Sequence, residues 1–180
     1  MDDSVRKILQ RLWNLVARGR LTGKDGTKAM RTIQTELFAQ DIRDDVEHFE
    51  PYGFSSEPLL GAEPLTVSFS GNRDHTIAIC VADRRYRIKG MKDGEVAIFD
   101  HLGRKVHITQ GGIVVDGKSS PVTVTTSSTV SVKGSKITLD APVVQVTGKM
   151  VVAGDVTGGN ISLQSHIHTG DSGGNTSAPK

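Results

Sequence analysis

Val5, Ile8, Leu9, Leu12, Leu15 and Val16 recur three and four residues apart behind Asp2, Asp3 and Ser4. That spacing predicts an amphipathic helix over residues 3–18, started by the acidic cap and ended near Gly19. Arg6, Lys7, Arg11 and Arg18 fall on its other side. The reading adopted is a helix that packs within its own assembly and keeps a solvated basic face, in preference to a membrane-surface helix. From residue 27 the period shortens to two. "MRTIQTEL", "LTVSFS", "HTIAICVA", "RYRIKG", "EVAIFD" and "KVHIT" read as short strands, broken by "SGNRD", "KDG" and "HLG". Asp100-His101-Leu102-Gly103 suits a tight hairpin with its glycine in the left-handed region. Five or six such strands predict a small closed or partly closed barrel, of which the OB-fold is one common form.

Beyond Val106 the alternating units become very short: "IVVDG", "VTVTT", "VSVKG", "ITLDA", "VVQVTG", "MVVAGDV" and "ISLQ". Val, Ile and Thr fill 16 of the 32 positions from Pro121 to Val152, which is strand composition. Each unit offers two or three apolar residues on one face, such as Val130 and Val132 or Ile137 and Leu139. Burying two aliphatic side chains yields about 3 to 6 kcal/mol, while ordering five residues costs about as much or more. Isolated units would therefore not hold. Copies of the same chain wound about a shared three-fold axis would bury these faces against one another, as in an intertwined triple-stranded β-helix. A flexible low-complexity tail is the plainer alternative, and the sustained alternation argues against it.

Composition sharpens the division. All eight aromatic residues lie in the first hundred positions, as do 31 of the 42 charged ones, whereas 12 of the 20 glycines follow residue 100. Halves so different do not share one core. A formal net charge of +2 gives no general pull toward nucleic acid or anionic lipid. Tyr86 is the one aromatic within the basic run "DRRYRIKGMK", short of the stacked aromatics of a single-strand binder, so no nucleic-acid partner is expected. Cys80, in "TIAICVAD", is expected to be a buried core thiol. Phe49, Tyr52 and Phe54 in "HFEPYGFSSEPLLGAEPL" are expected to be buried under a loop laid over the barrel, with an exposed partner-binding face as the alternative. "MDDSVRKILQ" lacks the features of a signal peptide, so synthesis in the cytosol is expected, with any exit by a route other than a cleaved signal.

The candidate chemistry lies in "SHIHTG". In a strand, residues i and i+2 share a face, so His166 and His168 project together while Ile167 points away. A lone His-x-His is usually a solvated pair. On a three-fold axis three chains would bring six imidazoles together, the number an octahedral first-row metal takes. Imidazole accepts iron, nickel, zinc and copper, and the residues do not choose among them. Catalytic alternatives are weaker. Asp171 could complete a ligand set only on paper, the C-terminal half has no pocket-forming aromatics or long apolar residues to exclude water around a substrate, and no GxSxG nucleophile elbow occurs, so no small-molecule substrate is expected. His48, His75, His101 and His107 read as ordinary surface or cavity-lining histidines. The protein is not expected to be an enzyme.

A basic N-terminal helix, "EPYGFSS" and "GAEPL", "GEVAIFDHLGRKVHIT", a Val/Thr-rich repeat and "HIHTGDSGGNT" follow one another in an order that resembles the central baseplate spikes of Mu-like and P2-like contractile-tailed bacteriophages. The resemblance covers almost the whole chain. It implies an all-β homotrimer with a short N-terminal helix, an OB-fold barrel and an intertwined triple-stranded β-helix, in a virion at the tip of the tail baseplate. The expected division is 1–24 helix and linker, 25–109 barrel, 110–164 shaft and 165–180 apex. It further implies one iron ion per trimer, held by His166 and His168 of three chains, with other shaft ions possible but unlocated. The barrel would meet other baseplate and tail-tube proteins, and the spike would be driven mechanically through the host outer membrane on sheath contraction. Type VI secretion spike tips are related. A receptor-binding tail fibre would need a gripping domain after His168, and a metalloenzyme would lose a catalytic rate when the histidines are replaced.

Overall fold

The computed structural model describes residues 2–38, 41–170 and 172–177. The chain divides into two units, residues 1–123 and 124–180.

The first unit opens with helix α1 (Asp3–Asn14), whose apolar stripe buries no residue within the chain. An exposed Asp3–Lys7 pair, one turn apart at 2.8 Å, adds little to its stability. The helix stops four residues short of the predicted end. Leu15 closes its last turn by donating to the Leu12 carbonyl, and Val16–Arg18 becomes strand β1. Val16 and Leu15 fit the helical stripe, but the ladder from Val16 to Val67 and the bond from the Ser68 N–H to the Leu15 carbonyl take both into the sheet. Gly71 permits the closest approach of helix and sheet. A Cβ there would collide with the backbone of Arg11, and its φ of +68° disfavours any side chain.

Strands β2 (Arg20–Asp25), β3 (Thr32–Phe38), β4 (Asp41–His48), β5 (Glu63–Ser68) and β6 (Thr76–Ala82) join β1 in a six-stranded sheet of order β1-β5-β6-β4-β3-β2. The pairs are antiparallel except β4 with β6. The sheet curls until its ends meet. Leu21 in β2 donates to the Ala62 carbonyl and accepts from the Gly61 N–H, both at 2.8 Å, while Gly19 donates to the Pro64 carbonyl. β1 and β2 thus act as one bent strand bonded to β5 on one side and β3 on the other. The interior is small: Leu21, Ile33, Val46, Ala62 and Ala78 are buried, with Val81 packed against them. Buried hydroxyls are satisfied, Thr66 donating to the Ala17 carbonyl at 3.0 Å and Ser68 bonding Thr76 at 2.7 Å.

Three expectations are corrected here. Cys80 is exposed. The β5–β6 register pairs Leu65 with Cys80 but Thr66 with Ala78, so Ile79 is a bulge, and the face on which Ala78 is buried passes to Val81 rather than to Cys80. "RYRIKG" is turn and irregular backbone, not strand. The aromatics of the 48–65 loop are not buried: Phe49 is 45% exposed, Phe54 60% and Tyr52 fully so. The loop is nevertheless ordered by charge. Arg31 bridges Glu50 and Glu57 at 3.0 Å each, and Glu50 also accepts from the backbone N–H and hydroxyl of Ser56. Strand β4 had no counterpart in the periodicity, because its positive-φ residue Asp45 and two register shifts against β3 break the alternation.

Strands β7 (Val96–Phe99), β8 (Lys105–Thr109) and β9 (Gly112–Asp116) make a separate three-stranded antiparallel sheet. "EVAIFD" and "KVHIT" therefore pair with each other and with β9 rather than with the curled sheet. The β7–β8 hairpin has the expected form, with Gly103 at φ +80° and Asp100 accepting from the N–H groups of Leu102 and Arg104. Cross-strand register sets Val96, Ile108 and Ile113 in one row and Ile98, Val106 and Val115 in the next. All six are exposed, which leaves an uncovered apolar face.

In the second unit, residues 124–152 carry no helix or strand, and every one is exposed. Among the described residues from Pro121 to Val152 the sole hydrogen bond is local, from the Ser128 N–H to the Thr126 hydroxyl. Regular pairing resumes with β10 (Thr157–Gly158) and β11 (Ile161–Ser162), a hairpin turned by Gly159 and Asn160 at φ +54° and +74°. Positive φ at both central residues is the signature of a type I′ turn. Among the described residues no helix is long and apolar enough to cross a membrane.

Candidate metal centre

Both candidate ligands follow the β10–β11 hairpin directly. A turn built on Ser162 leads into them: its hydroxyl accepts from the backbone N–H groups of Gln164 and Ser165 at 3.1 and 3.0 Å, and its carbonyl accepts from the His166 N–H at 3.2 Å. The two rings then lie with centroids 5.1 Å apart and planes perpendicular. His166 is half-buried and His168 exposed. The i, i+2 reading thus places both imidazoles side by side.

The hydrogen bonding of His166 engages one of its two ring nitrogens. Nδ1 lies 2.9 Å from the Ser162 carbonyl oxygen. A carbonyl only accepts, so Nδ1 carries the proton and Nε2 of the neutral ring keeps a free lone pair. An imidazole whose other N–H is donated to a backbone carbonyl is the usual arrangement of a metal-ligating histidine, and the donor set fits an imidazole-bound ion.

Beyond His168 the chain turns back rather than running on. Thr169 bridges Asn175, Gly173 donates to the Gly170 carbonyl, and the Thr176 N–H donates to the His168 carbonyl at 2.8 Å. Asp171 lies outside the described residues. Among the described residues of one chain, no group of three His, Cys, Asp or Glu side chains could hold a metal; a single chain supplies a pair.

The remaining histidines occupy other surroundings. His48 is buried in β4 and its pKa is pushed down, first by burial. His75 packs on Phe69 with the rings tilted by 44°, and His101 meets Tyr86 edge to face. His107 sits 3.4 Å from Glu95 across the three-stranded sheet. Beside the curled sheet, Phe49, Phe54, Ile79, Cys80, Tyr86 and Ile98 line an open, mainly apolar groove. Phe49 and Phe54 belong to the loop for which an exposed face was the alternative expectation, whereas the contributions of Ile79, Cys80, Tyr86 and Ile98 had no signal in the sequence.

Comparison with known proteins orders these parts. The family described as "Bacteriophage Mu Gp45, N-terminal" matches residues 18–85. "Gp138, beta helical trimerization domain" matches residues 87–164, and "GpV Apex motif" matches residues 160–180. The chain is 31% identical over 178 residues to "Baseplate puncturing device gp45" of Escherichia phage Mu, spanning 94% of this chain and 90% of that protein. It is 29% identical over 160 residues to "Mu-like prophage FluMu protein gp45" of Haemophilus influenzae, spanning 86% of each.

Proposed function

The chain belongs to the family of Mu-like phage baseplate spikes, and from that premise we propose that it acts as a homotrimeric needle that pierces the host outer membrane when the tail sheath contracts. One observation carries the trimer. From Pro121 to Val152 the backbone has almost no partner within its own chain, while its aliphatic residues stay open to solvent, Val124 at 74% and Leu139 at 69%. Extended backbone with alternating Val, Ile and Thr leaves its hydrogen bonds and apolar faces unmet unless other chains supply both. Three copies about one axis do so, in keeping with the trimerization-domain match over residues 87–164.

The division into helix and linker (1–24), OB-fold barrel (25–109), triple-stranded β-helix shaft (110–164) and apex (165–180) belongs to the same proposal, with Val16–Arg18 and Arg20–Asp25 moved from the linker into the curled sheet. Support for the OB-fold comes from the curled sheet, in which the bent first strand bonds two neighbours and β4 runs parallel to β6. The self-contained sheet β7–β9, with its uncovered apolar rows, favours carrying the shaft back to take in Val96–Thr109. The barrel would hold the spike on other baseplate and tail proteins in the virion, after assembly in the host cytoplasm.

His166 and His168 of three chains would hold one iron ion. Bound there, the ion would cross-link the ends of three chains, a structural contribution in keeping with a spike that is not an enzyme. The lone pair left on Nε2 of His166 supports that reading. Lys133, Lys136 and Asp140 of the shaft make spontaneous insertion into hydrocarbon unfavourable, so entry would be driven by contraction.

Mass by light scattering and metal per chain by elemental analysis, on wild type and on His166→Ala/His168→Ala, test this reading. A trimer with about one iron per three chains, the iron absent from the variant, is the expected result. A monomeric wild type would overturn the needle, and a metal-free wild-type trimer would overturn the clamp alone.

A further inference from the structure

Two independent contacts converge on the apex histidines, one on a ring and one on a backbone. On the first side stands Asp155, just before the β10–β11 hairpin. Its Oδ1 accepts from the Gln164 N–H at 3.2 Å, the same N–H that the Ser162 hydroxyl receives at 3.1 Å. Its carboxyl is held below the usual carboxylate range, first by a hydrogen bond from the Ser162 side chain and then, against burial, by the N–H groups of Gln164, Val156 and Leu163. The Gln164 amide closes the same turn on the Gly154 carbonyl at 3.3 Å. Asp155 therefore braces the turn whose carbonyl receives the His166 ring, although eleven residues separate the two in sequence.

On the second side stands Thr176. Its hydroxyl accepts from the His168 N–H at 2.9 Å, and its N–H donates to the His168 carbonyl at 2.8 Å. Both backbone groups of His168 are thus held by one residue of the returning tail, which the Thr169–Asn175 bridge keeps in place. A segment rich in Gly, Ser and Thr would otherwise give the His168 side chain a wide range of directions.

We infer that Asp155 and Thr176 are positioning residues of the apex: Asp155 acts through Ser162 to hold the Nδ1–H tautomer of His166, and Thr176 locks the backbone that aims His168. The inference rests on the metal reading above and adds to it that ligand orientation is built into each chain before the ion arrives. Neither residue ligates. Their effect should be seen in how long the ion stays, since outer contacts of this kind change metal affinity about 10- to 100-fold.

The test uses full-length protein, stripped and reloaded with ferrous iron, in wild type, Asp155→Ala, Thr176→Val and Thr176→Ser. Three readouts are taken: mass in solution, iron lost to excess chelator over time, and the imidazole nitrogen-15 signals of the metal-free form. The expected result is a trimer throughout, with loss about tenfold faster or more in Asp155→Ala and Thr176→Val, and near-wild-type retention in Thr176→Ser. His166 should show the Nδ1–H tautomer in wild type and a mixture in Asp155→Ala. Equal loss rates in every protein, or an Nε2–H tautomer in wild type, would overturn the inference and leave the metal site standing. A wild type that takes up no iron would instead remove the metal reading, and the inference with it.

Discussion

His48 is 4% exposed on β4, and among the described residues its Nδ1 has no hydrogen-bond partner. Burial pushes its pKa below 6.5, with Glu50 and Glu57 opposing and Arg31 assisting. The unfolded chain therefore binds a proton on this residue more readily than the folded one, and stability falls as pH drops below about 6.5. Glu50 is also held low, for a different reason: burial raises its pKa, but the Ser56 N–H, the Ser55 and Ser56 hydroxyls and Arg31 outweigh that. Its share of stability is present at neutral pH and is lost only as pH falls through its lowered folded value, which lies under 4.5. The two groups thus act in successive windows. His48→Gln should flatten the loss of chemical stability that begins as pH falls below 6.5 and leave the Glu50 window below 4.5 in place. An unchanged profile in guanidinium titrations at those pH values would refute the assignment. Neither the burial of His48 nor the exposure of Cys80 was legible in the sequence, because both depend on where bulges interrupt a strand.

Among the elements, the shaft repeat lends itself to a paired substitution. Alternation sends Val132 and Lys133 to opposite faces, and a three-fold assembly would put three copies of Val132 near the axis. Val132→Asp would place three like charges in an apolar setting, and each would cost several kcal/mol unless protonated. Light scattering should show loss of the trimer for Val132→Asp and its retention for Lys133→Asp. Equal behaviour of the two variants would argue that residues 124–152 share no inward face. Here the sequence was the better guide, since the alternation is plain in "VTVTT" and "VSVKG" while one chain has nothing to pair with. Helix α1 shows the converse. Its start was readable from Asp2 and Asp3, but its end was set by sheet bonds at Leu15 and Val16 that lie more than fifty residues away in sequence.

For the molecule as a whole, the proposed trimer makes stability a function of concentration. If the apolar rows of β7–β9 and the shaft are covered only on association, metal-free protein should melt at a lower temperature when diluted tenfold, after equilibration. A midpoint independent of concentration, monitored by circular dichroism, would show that each chain covers these faces alone. What periodicity and spacing specified was local: a capped helix start, most of the strands of period two, the Asp100–Gly103 hairpin, a repeat too thin to fold by itself, and two neighbouring histidines. Those features depend on neighbours within a few residues, which a sequence displays directly. The closing of the curled sheet, the bulge that turned Cys80 outward, the ion-paired loop that leaves Tyr52 exposed, and the contacts of Asp155 with Gln164 and of Thr176 with His168 all join residues that no single strand or turn brings together. Such pairings are chosen by which arrangement satisfies the most backbone groups and buries the most apolar surface at once, a choice that no local stretch of sequence expresses.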